Sequence, residues 1–150
     1  MPASEETLLH GATPRMLASI EALAEALFST EAGPPPRARL EWLSREMDDF
    51  LARAGARSRF VFRMSLFVVS AIAPLLVGRF STLRALPIAD RTAALEKMER
   101  GRLALPLLAV KAMLCILYYE HPDAAEEIGF DGACLTPSLP SLPIIRGGAS

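Results

Sequence analysis

Apolar side chains return at three- and four-residue spacing from residue 13 onward, the signature of helices that each bury one face. Met16, Leu17, Ile20, Leu23, Ala24, Leu27 and Phe28 mark the first. Thr13 stands before it as an N-cap, and Pro14 takes the first helical position, where a missing N–H costs nothing. Gly33-Pro34-Pro35-Pro36 ends it. A second helix is predicted from about Arg37 to Ala54, with Leu40, Leu43, Met47, Phe50 and Leu51 on one face and Gly55 as its C-terminal cap. The pattern then changes. Met64 to Gly78 is fifteen residues without a charge, interrupted by Pro74. As a helix it would extend roughly 22 Å, short of the roughly 30 Å hydrocarbon core of a bilayer, and Pro74 would kink it. A buried or interfacial helix is the expectation.

Leu86-Pro87-Ile88-Ala89-Asp90-Arg91 opens a charged helix that runs to Arg100 and ends near Gly101. Leu103 to Tyr119 forms a second apolar stretch of seventeen residues, with Lys111 as its one charge. A central lysine together with Pro106 argues against a free transmembrane span. His121-Pro122-Asp123 starts a short helix that Gly129 closes. From Phe130 onward Pro137, Pro140 and Pro143 favour extended chain. No strand alternation or internal repeat occurs. The predicted fold is a single all-α domain, a bundle of five or six helices over 13–132. A flexible leader is expected over 1–12, and an extended Pro-rich C-terminal tail over 133–150, either disordered or wrapped on a partner.

Composition sharpens this picture. Hydrophobic residues are 51% of the chain and charged residues 22%, and mean hydropathy is +0.29. The chain is too apolar for disorder, and its excess apolar surface needs a core, a partner or a membrane to cover it. The net charge of −1 is uneven: residues 1–49 hold four basic and nine acidic side chains, 50–119 eleven and three, 120–150 one and five. A basic, apolar middle suits an acidic partner or an anionic lipid surface, or else its arginines only solubilise helix ends. Arg57, Arg59, Arg63 and Phe67 are the candidate residues for a membrane or partner contact. Met1 to His10 shows no basic-then-apolar export signal, so a cytoplasmic location, or the cytoplasmic face of a membrane, is expected.

Candidate chemistry is sparse. There is no Gly-rich phosphate loop and no nucleophile elbow. His10 and His121 stand apart, and His121 before a proline reads as a helix-end residue. Asp48-Asp49 and Glu126-Glu127 are neighbours in sequence, which points them to different helix faces and makes solvated surface their expected place. Cys115 reads as a small core residue, and Cys134 lies in the tail with nothing beside it to depress its pKa. Lys111 amid apolar residues is either a desolvated amine with a depressed pKa or, as expected more often, a lysine that snorkels or pairs with a neighbouring helix. Tyr118 and Tyr119 either meet a partner or finish the core. No catalytic, cofactor-binding or metal-binding residue is assigned.

One stretch carries a family likeness. Leu86-Pro87, Arg91, Leu95-Glu96, then Leu103 to Lys111, Tyr118-Tyr119, Pro122 and Ile128-Gly129-Phe130-Asp131-Gly132 follow in order. This resembles the small-subunit family of gluconate 2-dehydrogenase subunit 3 and the helical region preceding the flavin domain of long-chain alcohol oxidases. Phe130 stands where tyrosine is commoner in those proteins. The resemblance implies a non-catalytic accessory subunit of an FAD-dependent glucose–methanol–choline type oxidoreductase, with FAD held by a separately encoded flavoprotein large subunit. It would stabilise that subunit and shape its substrate entrance, for an alcohol, sterol or sugar, or its membrane contact. Lys111, Tyr118, Tyr119, Ile128, Phe130 and Asp131 are the interface residues it implies. Two other readings stay open: a peripheral membrane protein with no redox partner, and a ligand carrier or small enzyme with an apolar cavity around Lys111.

Overall fold

A computed structural model describes residues 11–132. The tail over 133–150 and the leader up to residue 10 lie outside the described residues. Six α-helices follow one another: α1 (Pro14–Leu27), α2 (Arg37–Arg53), α3 (Ala56–Leu76), α4 (Ile88–Glu99), α5 (Ala104–Tyr118) and α6 (Pro122–Glu127), with a single 3-10 turn, Leu83–Ala85, before α4. No β-strand occurs among the described residues. The all-α expectation holds.

Local chemistry explains most boundaries. Thr13 Oγ1 accepts from the Met16 N–H at 3.3 Å and caps α1. Thr30 and Gly33 exchange two backbone hydrogen bonds of 3.0 Å, and Gly33 closes that turn at φ +118°, a conformation open to glycine but not to residues with a Cβ. His121 Nδ1 accepts from the Asp123 N–H at 3.3 Å, which starts α6. Gly129, at φ +77°, follows its end. Gly55 differs from its expected role. It is the N-cap of α3 with φ −60°, and the C-cap of α2 is Ala54.

That shift lengthens α3. Because it starts at Ala56, Arg57, Arg59 and Arg63 form its opening turns, and its 21 residues span about 31 Å. Pro74 falls in the last turn, and the helix closes two residues later. The expected 22 Å segment is therefore a helix long and apolar enough, by length and composition, to cross a bilayer. One side of it is packed within the bundle. Phe62, Leu66, Val69 and Ala73 of α3 are buried in the core, where the helix meets α5, α4 and α1.

The core is one cluster drawn from α1 to α5 and Ala124 of α6. Ile20 and Leu23 of α1, Leu43, Met47 and Leu51 of α2, and Val110 and Leu114 of α5 have no exposed surface. Each such Leu or Ile contributes roughly 1.5–3 kcal/mol through its removal from water.

The N-terminal boundary is also corrected. Gly11 and Ala12, expected in the leader, belong to the fold. Ala12 is 7% exposed; its N–H donates to Asp48 Oδ1 at 2.8 Å, and Arg63 Nη2 donates to the Gly11 carbonyl at 2.8 Å. Asp48 is thus an anchor rather than solvated surface. A Cβ added to Gly11 would collide with backbone atoms of Asp48, Leu51 and Ala52, none of which can swing aside. Gly11→Ala is expected to peel this segment off α2 and lower stability by about 2 kcal/mol, the sum of two hydrogen bonds and one small buried residue. Thermal unfolding checks it. The effect has a ceiling, because the chain from Thr13 onward can stay in place.

Candidate functional site

Arg39 occupies an unusual place for a cation. It lies one turn before Leu43 on the buried face of α2 and is 6% exposed. Its Nη1 donates to Tyr118 Oη at 3.0 Å and to Glu127 Oε2 at 2.9 Å, while Nη2 donates to Glu127 Oε1 at 2.9 Å. This bidentate fork is the geometry in which arginine holds a carboxylate most strongly. Phe28 stacks on Tyr118 with ring centroids 3.8 Å apart and planes 6° from parallel, and Tyr119 meets both rings edge-on. The cluster joins the ends of α1 and α5, the start of α2, and α6. A cleft of about 270 Å³ opens beside it, walled by Pro34, Pro35 and Pro36.

The electrostatics follow from the contact. The Arg39 bond, stronger than the opposing effect of desolvation, holds the Glu127 carboxyl below its ordinary value near 4.5. Glu127 in turn raises the Arg39 pKa further above neutrality, so both stay charged at pH 7. Glu127 is exposed, as expected, and is at the same time the partner of a buried guanidinium. Arg39 itself is not among the residues the sequence singles out. The available signal is its spacing, since 39, 43 and 47 form one stripe at four-residue steps.

The residues singled out from the sequence are dispersed. Lys111 Nζ bonds Glu99 Oε1 at 2.9 Å with its side chain 37% exposed, the cross-helix pairing expected of it. Its ammonium lies at the surface rather than in an apolar cavity. Tyr118 is 3% exposed and its hydroxyl is engaged by Arg39, so it finishes the core and is not open to a partner. Tyr119, Ile128, Phe130 and Asp131 are exposed. Burial pushes the Tyr119 hydroxyl above its ordinary pKa, and does the same to the half-buried Cys115 thiol against the pull of Lys111. Arg91 ties α4 to α1: it pairs with Glu25 and donates to the Ala22, Leu86 and Arg84 carbonyls. Among the described residues no three His, Cys, Asp or Glu side chains gather as a metal site.

The larger feature is what the bundle leaves uncovered. On α5, Leu105 (75% exposed), Leu108 (60%), Ala112, Ile116 (57%) and Tyr119 form one stripe at three- and four-residue steps. On α3, Phe60 (64%), Met64, Phe67 (66%), Ala71 and Leu75 form another. Each stripe is contiguous along its helix, whereas exposed apolar residues scattered singly are the norm on a monomer. The candidate site is thus a pair of apolar faces on a six-helix bundle with an internal arginine–aromatic latch. No family model, curated protein or solved structure matches the chain.

Proposed function

We propose that this chain is a non-catalytic accessory subunit that docks through α5 onto a larger FAD-dependent flavoprotein of the glucose–methanol–choline type. The observation that carries the docking is the uncovered stripe of Leu105, Leu108, Ala112 and Ile116. A row of this kind resembles half of a domain core, which is the character of obligate interfaces. The nature of the partner rests on the resemblance of residues 83–131, the segment that contains this same helix.

The side chains agree with a docking role. Three buried or half-buried cations, Arg39, Arg91 and Lys111, are each paired within the bundle, with Glu127, Glu25 and Glu99. Such pairs rigidify a scaffold and fix how its outer faces are presented. A partner that covers α5 excludes water from a mostly aliphatic surface, and that release of water is the main driving force for association of this kind.

The test is recovery of the tagged chain from its native host, with an absorbance spectrum of what accompanies it. A stoichiometric large subunit with flavin bands is the expected result, and Ile116→Glu should remove that subunit from the eluate. A colourless chain recovered alone overturns the reading.

A further inference from the structure

The two uncovered faces differ in their electrostatic setting. Residues 50–89, which contain all of α3, hold six arginines and no aspartate or glutamate. Four of those arginines serve the fold: Arg53 pairs with Asp49, Arg79 pairs with Asp90 at 3.7 Å, Arg63 holds the Gly11 carbonyl, and Arg59 reaches the Leu51 carbonyl at 3.5 Å. Others point outward. Arg57 at the start of α3 and Arg84 in the 3-10 turn are exposed and have no ion-pair partner among the described residues. Arg15, exposed at the start of α1, is in the same state. Beside the α3 stripe lies a cleft of about 390 Å³ whose lining includes Phe67, Ala71 and Leu83 together with Arg15 and Arg84.

We infer that the outer face of α3 docks on an anionic lipid bilayer. Phe60, Phe67 and Leu75 would enter the headgroup–acyl boundary, while Arg15, Arg57 and Arg84 meet lipid phosphates. The charge pattern selects this occupant. An apolar row with Arg15, Arg57 and Arg84 near it, none of them ion-paired among the described residues, on a helix that itself carries no carboxylate, matches a surface whose charges are uniformly negative. A protein partner of ordinary mixed charge would leave several of these arginines unpaired. Phe67 belongs to both the row and the cleft, so acyl chain and phosphate can be held side by side.

The chain lies on the bilayer rather than across it. Phe62, Leu66, Val69 and Ala73, on the opposite side of α3, are packed in the core, and a spanning α3 would have to surrender that packing. Surface docking keeps the bundle whole and leaves α5 for its own partner. It is independent of the flavoprotein reading, because it uses a different helix face.

The experiment is co-sedimentation of the purified full chain with vesicles of phosphatidylcholine alone and of phosphatidylcholine mixed with phosphatidylserine. Binding only to the mixed vesicles, weakened by high salt, is expected. Each exposed arginine contributes roughly fivefold to such binding, so Arg15→Glu with Arg84→Glu should weaken it by at least about twentyfold. Phe67→Glu should abolish it, with the helical circular dichroism of wild type retained. Ile116→Glu, on α5, should sediment as wild type does. A wild-type chain that stays in the supernatant with anionic vesicles overturns the inference. Undiminished sedimentation of the Phe67→Glu and double-arginine variants does the same. So does a wild-type dimer in light scattering that Phe67→Glu converts to monomer, since the face would then belong to a second copy.

Discussion

Arg39→Ala is expected to lower the thermal midpoint by about 10 °C, reflecting a loss of about 2–3 kcal/mol. The variant loses a two-pronged charged hydrogen bond and the packing of the arginine stem, and leaves the buried Tyr118 hydroxyl without its donor. Glu127 remains in contact with water, which keeps the loss below that of a stranded buried charge. The converse variant, Glu127→Ala, strands the Arg39 guanidinium inside the bundle with Tyr118 as its remaining partner. The double variant should therefore be much less than additive, because both single changes break the same contact.

The same latch gives the protein a pH response of defined sign. Glu127 has a folded-state pKa below its ordinary value. Its contribution is then fully present above the unfolded value near 4.5 and is lost as pH falls through the lower folded value. The stability gap between wild type and Arg39→Ala should therefore narrow in that acid window, to the part due to stem packing and the Tyr118 hydroxyl, and widen above it. A gap between their unfolding curves that stays constant from acid to neutral pH would remove the ion pair as its cause.

Leu114→Ala is expected to cost about 3–4 kcal/mol, whereas Ile116→Ala, two residues along, should leave stability within about 0.5 kcal/mol of wild type. Leu114 has no exposed surface and its truncation opens a cavity between helices; Ile116 is 57% exposed and its truncation opens none. Binding should show the reverse order. Leu114→Ala in its folded fraction keeps the α5 stripe, while Ile116→Glu places a charge in the middle of the docking face and should weaken partner binding at least about thirtyfold. Chemical denaturation of the free variants, paired with partner titration, separates the two roles. Equal stability losses at both positions would mean that the α5 stripe is covered in the free chain.

The contrast between Leu114 and Ile116 also shows where sequence reading stops. α1 and α2 carry polar residues between apolar ones, so their inner faces, Ile20 with Leu23 and Leu43 with Met47, are directly legible. In α5 nearly every side chain is apolar, and periodicity has nothing to contrast. Sixteen apolar residues around one lysine mark the helix but not its inward side. The interface residues expected around Lys111 and Tyr118 accordingly omit Leu105, Leu108 and Ile116, and include a tyrosine that the core encloses. Gly55 is ambiguous because a glycine between two helices fits the end of one as well as the start of the next. Taken as an end, it removes the opening turns of α3 and shortens that helix by about a third.

The all-α class, the places of the helices, the caps at Thr13 and His121 and the stops at Gly33 and Gly129 were determined by sequence alone, because each depends mainly on the residue types within a short window. Tertiary structure decided that Arg39 meets Tyr118 and Glu127, 79 and 88 residues away, that Gly11 rests against the backbone of α2, and which sides of α3 and α5 remain bare. Those outcomes follow from how helices pack. A uniformly apolar helix is compatible with many rotations about its own axis, and only its neighbours select one.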